Sequence, residues 1–148
     1  MTISPNASPD ERDQYVFVYG TLKQGEHNHV WLPPNTRVDV GACSTVNKFP
    51  LVVPAKGGVP FLLFRKEQGE NVEGQLYLVS QEELEVVDLL EGHPTGYRRT
   101  QIPVNCNGEV YLAWTYFLHP RYVTADLLRL PHLKSFSSKG HNANRTIG

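Results

Sequence analysis

One segment of the chain, residues 80 to 92, carries complete signals for the start and the end of a helix. Ser80 suits the N-cap position, and Glu83 three residues later completes a capping box. Gly92 suits the left-handed position after the last turn, and Pro94 cannot continue the helix. We therefore predict one helix with the sequence "QEELEVVDLLE", set among segments of a different kind.

The segments around this helix are short apolar runs typical of strands. They are residues 15–19, 36–46 and 71–80, "FPLVVP" and "VPFLLF" on either side of residues 56–58, and the two runs joined by Asn107-Gly108. Asn-Gly is the strongest short hairpin signal. A second, short helix is expected from about Thr124 to Leu130. A doubly wound sheet would alternate strand and helix throughout. The pattern instead predicts an α+β fold, a small mixed β-barrel or strongly curved sheet with one or two packed helices.

Length and charge narrow the class of protein. The chain has 148 residues, enough for one domain with an ordinary core. A formal net charge of −1 gives no basic field for nucleic acid or acidic lipid, and no apolar run reaches the roughly 20 residues of a membrane span. We expect a disordered lead-in over residues 1–13, a folded domain over 14–131 and a polar tail over 132–148. The sequence leaves the oligomeric state open.

The two cysteines, Cys43 and Cys106, are far apart and form no CxxC pair. They are too few for a disulfide scaffold, so we expect two buried or half-buried free thiols in a reducing compartment. The first fourteen residues also lack the basic start and apolar stretch of a secretory signal. The sequence therefore predicts a cytoplasmic protein.

Signals for metal or cofactor chemistry are weak. His27 and His29 stand two residues apart, but no cysteine or carboxylate cluster lies near them at zinc spacing. The chain also lacks a Walker loop, a GxGxxG after a strand and a GxSxG elbow. We expect no metal and no cofactor.

Glu91 is the candidate acid or base. At 100° per residue, the side of the helix that carries Leu84, Val87, Leu89 and Leu90 turns toward the core, and Glu91 falls on the border of that buried face. It also lies in the last turn, where the helix dipole is negative. Burial and the dipole both disfavour the ionised carboxyl, so both raise its pKa toward neutrality, as acid/base catalysis requires.

Simpler interpretations of this region stay open. Glu91 would serve no chemistry if it pointed to water or paired with Arg98 or Arg99. Asp88 is a possible second carboxylate, although a solvated helix acid is the more common role for such a residue. Tyr97 would donate to a substrate or to Glu91, or pack in the core as tyrosines of sheets commonly do.

A turn follows the first strand, in "VFVYGTLKQGEHNH" (residues 16–29). At Gly20 the backbone has no side chain to shield it, so the amides of the turn can point outward. Such a group of amides can hold a carboxylate, or an oxyanion as it forms. A plain turn after a buried strand is the alternative.

Four stretches together, "VFVYGTLKQGEHNH", "FPLV", "VEGQLYLV" and "LLEGHPTGYRR", resemble the gamma-glutamyl cyclotransferase-like superfamily, and within it the gamma-glutamylamine cyclotransferases. The resemblance runs in order from Tyr15 to Arg99. It implies a small barrel with helices packed around it. It also implies that Glu91 is the catalytic acid/base and that Tyr97 faces the same pocket. The residues implied to bind the gamma-glutamyl group are Tyr19, Gly20, Thr21 and Leu22.

The resemblance implies a lyase that releases 5-oxoproline and lysine from N-epsilon-(gamma-glutamyl)-lysine, the isopeptide left by degraded transglutaminase crosslinks. The alpha-amine of this small-molecule substrate is the nucleophile, which agrees with the missing serine, cysteine and zinc signatures. Glutathione or other gamma-glutamyl amino acids are alternative substrates. A non-catalytic module that binds a small carboxylate, a hydrolase using Glu91 with Asp88, and a structural interaction protein are the rivals from other classes.

Overall fold

A computed structural model describes residues 12–20, 23, 32, 36–38, 43–54 and 58–137. Its strands are β1 (Arg12–Val18), β2 (Cys43–Phe49), β3 (Leu51–Val52), β4 (Phe61–Leu62), β5 (Glu70–Glu73), β6 (Gln75–Ser80), β7 (Tyr97–Cys106) and β8 (Glu109–Leu118). Its helices are α1 (Gln81–Glu91) and α2 (Ala125–Arg129), with a 3-10 turn over Pro120–Tyr122. None of the helices in these ranges is long and apolar enough to cross a bilayer.

Six strands form one mixed sheet in the order β5-β2-β7-β8-β1-β6. All neighbours are antiparallel except β1 and β8, which run parallel with Val16 opposite Trp114. The two edge strands, β5 and β6, are consecutive in the chain and are joined through Gly74 alone. A Cβ on Gly74 would lie 2.4 Å from the carbonyl oxygen of Val18, so only glycine fits this bend. The sheet therefore curves into a half-barrel, and the predicted α+β fold with packed helices is confirmed.

The two apolar runs on either side of residues 56–58 pair with each other. Leu51 lies opposite Leu62, and Val52 lies opposite Phe61, in a separate two-stranded sheet. This ribbon contacts β8. Residues 58–60, which directly precede β4, lie beside the end of β1.

The core lies on both faces of the large sheet, as the alternation along β1 shows. Phe17 belongs to a cluster with Phe49 and Phe117, whereas Val16 and Val18 pack with α1 on the other face. On α1, Leu84 and Val87 are fully buried and Leu90 packs against the same cluster. These three residues agree with the helical periodicity in the sequence. The expectation that Leu89 also faces the core is wrong, because it lies about 140° around the helix from Leu84 and is 83% exposed.

The caps of α1 are those that the sequence predicts. The Ser80 hydroxyl accepts from the Glu83 amide at 3.1 Å, and the Glu83 carboxylate accepts from the Ser80 amide at 2.9 Å. Gly92 adopts a left-handed φ of 68° and closes the helix with its N–H. Glu83 also accepts two hydrogen bonds from Arg12, at 3.0 and 2.9 Å. Strand β1 begins at Arg12, which lies opposite Ser80 on β6, before the apolar run that predicted the strand.

The expectation of two free thiols is wrong, because Cys43 and Cys106 form a disulfide. They lie directly opposite each other on β2 and β7, and both side chains are buried. The pairing depends on strand register across 63 positions of sequence, which no local pattern reveals. The cytoplasmic location stays a prediction that has lost the support of free thiols.

Irregular segments lie along both edges of the sheet. On the β6 edge, the Leu78 amide donates to the Thr36 carbonyl and the Val38 amide donates to the Leu76 carbonyl, at 2.9 and 2.7 Å. On the β5 edge, the Glu73 amide donates to the carbonyl of Lys134 at 2.6 Å. The segment 131–137 is held to the core by Phe136, which is buried. Helix α2 lies just before it, where the sequence predicts a short helix.

Candidate active site

A cavity of about 160 Å³ opens where β1 ends, beside the last turn of α1 and the start of β7. It is lined by Phe17, Val18, Tyr19, Gly20, Val59, Pro60, Leu90, Glu91, Tyr97 and Tyr116. Its volume is far larger than the roughly 10–15 Å³ that one water needs, so it has room for a small polar group. Its walls combine apolar side chains with one carboxyl group and three phenols.

The cavity brings together four of the six residues that the sequence analysis selected. Tyr19 and Gly20 directly follow β1, Glu91 is the last residue of α1 and Tyr97 is the first residue of β7. Thr21 and Leu22 lie outside the described residues, so the outward amides of that turn stay a prediction. His27 and His29 also lie outside the described residues.

Gly20 stands at a close contact between the end of β1 and residues 58–60. A Cβ on Gly20 would lie 2.9 Å from Cγ of Pro60, nearer than side-chain atoms tolerate. The Gly20 carbonyl also accepts from the Lys23 amide at 3.1 Å, which marks a turn. The glycine is therefore needed for the approach of Pro60, a reason that the sequence alone does not show.

Glu91 is half-buried at the wall of the cavity, as the last residue of α1. Burial raises the pKa of its carboxyl group to about 7. Within the described part of the chain, no hydrogen bond or ion pair reaches this carboxyl group. Neither arginine that the sequence offered as a partner pairs with it, because Arg99 pairs with Asp88 and Arg98 is exposed beside a different cavity. Glu91 is thus a carboxyl group that is unpaired among the described residues and whose pKa is raised to near neutral pH.

Three tyrosines surround this carboxyl group, and each donates its hydroxyl proton elsewhere. Tyr19 donates to the backbone carbonyl of Tyr116 at 2.6 Å, and Tyr97 donates to the carbonyl of Pro60 at 2.9 Å. Tyr116 donates to Oδ1 of Asp88 at 2.6 Å. Burial is the main cause that raises the pKa of all three phenols. The charge of Glu91 adds to it in each, after the effect of Tyr97 on Tyr19 and that of Asp88 on Tyr116. They therefore stay neutral at physiological pH.

Asp88 is not the solvated helix acid that the sequence suggested. Its side chain is 14% exposed and its Oδ1 accepts from both Tyr116 and Nε of Arg99, the latter at 2.8 Å. The Arg99 guanidinium in turn lies 4.4 Å from the centre of the Trp114 ring. The carboxylate is thus committed to a half-buried ion pair, which leaves it poorly suited to act as a second acid or base beside Glu91.

Six residues of the wall were not selected as site residues from the sequence, and Val59, Pro60 and Tyr116 are the three of them whose position depends on other strands or on the face of a strand. Tyr116 and Phe117 alternate along β8, so that one faces the cavity and the other faces the opposite core. That alternation was readable from the sequence, but the face that holds the cavity was not. Val59 and Pro60 reach the site only through the pairing of β3 with β4.

Metal ligands do not gather here. In the ranges that the structure describes, no group of three or more histidine, cysteine, aspartate or glutamate side chains is arranged to hold a metal ion. The cavity therefore offers a carboxyl group, phenols and backbone as its polar chemistry.

Comparison with known proteins gives a consistent result. Residues 16–137 match the family model described as gamma-glutamyl cyclotransferase, AIG2-like. A gamma-glutamylaminecyclotransferase of Rattus norvegicus is 34% identical over 145 residues, covering 88% of this chain and 94% of that protein. Gamma-glutamylaminecyclotransferase B of Danio rerio is 35% identical over 131 residues, covering 84% of this chain and 69% of that protein.

The fold agrees with a solved structure. The crystal structure of an AIG2-like protein from Mus musculus superposes with a TM-score of 0.74 at 31% identity, covering 88% of this chain and 92% of that chain. Fold, sequence and family model thus coincide over the residues that build the cavity. The chain belongs to the AIG2-like gamma-glutamyl cyclotransferase family.

Proposed function

We propose that this protein is a gamma-glutamylamine cyclotransferase that releases 5-oxoproline and a free amine, with N-epsilon-(gamma-glutamyl)-lysine as its substrate. The observation that carries the proposal is Glu91, a carboxyl group with a pKa raised to about 7 and with no partner among the described residues, at the wall of a cavity shared with Tyr19 and Gly20. The relatives from rat and zebrafish, named gamma-glutamylaminecyclotransferases, support the choice of an amine.

The reaction needs no nucleophile from the protein. The alpha-amine of the substrate attacks its own gamma-carbonyl carbon and forms the C–N bond of a five-membered lactam. The bond between that carbon and the side-chain nitrogen of lysine then breaks. Holding the substrate folded, so that amine and carbonyl meet, supplies up to about 7–11 kcal/mol in favourable intramolecular reactions.

Glu91 moves the proton. As a carboxylate it takes one proton from the alpha-ammonium group, which frees the amine for attack. That first proton passes to solvent. After the attack Glu91 takes the second proton from the same nitrogen, which leaves the lactam N–H, and gives it to the departing amine nitrogen. The released lysine side chain takes up one proton from solvent, so no net proton is lost. Such transfer contributes roughly 10²–10⁴-fold to a rate, and it works best when the pKa of the group lies near the working pH.

Tyr19, Gly20, Thr21, Leu22 and Tyr97 are proposed to bind the gamma-glutamyl group. A cavity of about 160 Å³ suits an acyl group of this size, with the leaving amine directed outward. The backbone after β1 is proposed to hold the substrate and the oxyanion that develops on the carbonyl oxygen.

Glutathione is the second candidate substrate, since the family is described as gamma-glutamyl cyclotransferase and a cavity for the gamma-glutamyl group does not distinguish the amines. A module that only binds a small carboxylate is less consistent with the site. A half-buried Glu91 would repel such a ligand when both are ionised.

The test measures 5-oxoproline release from N-epsilon-(gamma-glutamyl)-lysine and, separately, from glutathione. Wild type is compared with Glu91→Gln and with Glu85→Gln, an exposed glutamate on the same helix. We expect release from the isopeptide that is lost in Glu91→Gln and retained in Glu85→Gln. Release from glutathione alone would keep the mechanism and change the substrate. Unchanged release by Glu91→Gln would contradict the mechanism.

A further inference from the structure

The three phenols around Glu91 have a shared property that the proposed reaction does not explain. A tyrosine hydroxyl carries one proton to donate. The acceptors of Tyr19 and Tyr97 are backbone carbonyls, which have no proton of their own, so the direction of both bonds is fixed. The acceptor of Tyr116 is the carboxylate of Asp88. All three phenolic protons are therefore used before any reaches Glu91.

Tyr116 is the phenol whose proton is held by another side chain. Asp88 and Glu91 are three residues apart on α1, and side chains at that spacing are neighbours on one helix face. Tyr116 comes from β8, lines the same cavity as Glu91 and lies near enough for the charge of Glu91 to help raise the pKa of its phenol. We infer that Glu91 offers the Tyr116 hydroxyl a second acceptor if Asp88 is removed.

Asp88 is itself held in place from the sheet. Nε of Arg99 donates to the same Oδ1, and the guanidinium packs on the ring of Trp114. The amide of Arg99 donates to Nδ1 of His93 at 3.1 Å, and the His93 ring lies 6.5 Å from the Tyr116 ring. The position of the acceptor is therefore fixed by contacts on β7 and β8 together.

We propose that Asp88 is a positioning residue that holds the Tyr116 hydroxyl away from Glu91, so that the carboxylate of Glu91 keeps no hydrogen-bond donor. Its importance for turnover rests on the function proposed above; its effect on Glu91 does not. A donor to a carboxylate favours the ionised form and makes it a weaker base. Asp88 would thus keep the carboxylate of Glu91 a stronger base without contacting the substrate.

The groups that face Glu91 come from each element packed around it. They are Tyr19 directly after β1, Tyr97 of β7, Tyr116 of β8, and, behind Tyr116, Asp88 of α1, Arg99 of β7 and His93. Loss of the Asp88 charge would leave Arg99 unpaired. That cation also favours ionised Glu91, so the experiment must separate the effect of the charge from the effect of the hydroxyl.

The experiment titrates Glu91 directly by NMR of protein labelled with ¹³C in glutamate carboxyl groups, with Glu91→Gln identifying the resonance. Asp88→Asn removes the charge and keeps an acceptor oxygen for Tyr116. Asp88→Ala removes both. The Asp88→Ala/Tyr116→Phe double variant removes the hydroxyl as well. We expect the Glu91 midpoint in Asp88→Ala to fall about one pH unit below that in Asp88→Asn, and the double variant to return it to the Asp88→Asn value.

Equal midpoints in Asp88→Asn and Asp88→Ala would overturn the proposal, as would a double variant that stays low. If Asp88→Ala does not fold, the Glu91 midpoint of the single variant Tyr116→Phe tests the proposal. In this variant the Glu91 midpoint stays at the wild-type value if the Tyr116 hydroxyl donates to Asp88 in the wild type. The midpoint rises if that hydroxyl donates to Glu91. A purely structural role for Asp88 predicts no rescue by Tyr116→Phe.

The titration does not depend on any enzymatic activity. Failure of the proposed function would show as absent 5-oxoproline release with the titration shifts intact. With activity present, the acid limb of the pH–rate profile should move with the Glu91 midpoint in each variant.

Discussion

Gly20 and Pro60 approach so closely that a Cβ between them would lie 2.9 Å from Cγ of the proline ring. Through this contact the end of β1 and residues 58–60 form adjoining walls of one cavity. A proline ring cannot swing aside as a long flexible side chain can. The site therefore tolerates very little added volume at this point.

Gly20→Ala should leave a folded protein with a damaged site. The added methyl must push Pro60 or the end of β1, and misplacement of reacting groups by about 1 Å can cost about 10²-fold in rate. We expect kcat/KM for 5-oxoproline release to fall by about 10- to 100-fold. Gly96→Ala is the control, because its Cβ would meet nothing nearer than 3.7 Å. Wild-type kinetics in Gly20→Ala would show that the contact with Pro60 does not shape the site.

Tyr97→Phe should loosen the opposite wall. The hydroxyl of Tyr97 ties β7 to the carbonyl of Pro60, and a typical hydrogen bond stabilises by about 0.5–1.5 kcal/mol. We expect KM to rise about two- to tenfold with a smaller change in kcat, because the bond shapes the binding cavity and not the proton transfer. Steady-state kinetics on the isopeptide measure both. A loss confined to kcat would instead assign the hydroxyl to the chemical step.

Glu91→Gln should make the protein more stable at alkaline pH. Folding raises the pKa of Glu91 to about 7, so the folded state binds the proton more tightly than the unfolded state. Wild-type stability therefore falls as pH rises from about 4.5 to 7, by about 2–3 kcal/mol in total. A neutral glutamine at this position does not ionise, so the variant does not lose this stability as pH rises. Urea unfolding at pH 4.5 and pH 8 should show a gain for the variant at pH 8 and almost none at pH 4.5. An equal difference at both values would mean that Glu91 titrates normally.

Glu83→Gln should destabilise the protein with the opposite pH dependence. Burial alone would raise the pKa of Glu83, but hydrogen bonds from Arg12 and the Ser80 amide outweigh it and hold that pKa below its usual value. The resulting stability is present above the unfolded pKa and is lost as pH falls through the folded pKa.

Glutamine can still complete the capping box, so this variant removes mainly the pair with Arg12. We expect a loss of about 1–3 kcal/mol at pH 7 that shrinks toward acid pH. Glu85→Gln, whose side chain is exposed on the same helix, is the matched control. Equal stability of the two variants in thermal or urea unfolding at pH 7 would show that the Arg12 pair contributes nothing.

Features that depend on residues close together in the sequence were predictable. Ser80, Glu83 and Gly92 fixed α1 through contacts within one or two turns, and the Asn107-Gly108 hairpin followed from local backbone preference. The position of Glu91 on the border of a buried face also followed from the helical period. The absence of an ion-pair partner for Glu91 among the residues that the structure describes could not be predicted, because it depends on the pairing of the Arg99 side chain with Asp88.

Contacts between residues that are distant in sequence were not predictable. The Cys43–Cys106 bond, the approach of Pro60 to Gly20 and the hydrogen bond from Tyr116 to Asp88 each join residues that are distant in sequence. The register that brings them together is specified by the whole sheet. A single sequence therefore indicated the acid/base candidate but not the network of contacts around it.

Both edges of the six-stranded sheet hydrogen-bond to irregular backbone, at residues 36–38 beside β6 and at Lys134 beside β5. Open edge strands are templates on which further chains assemble into aggregates. On the β5 side the cover depends on residues that follow α2, and Phe136 anchors them in the core. Truncation before Phe136 would thus uncover β5, and the damage would appear as self-association of an otherwise folded sheet.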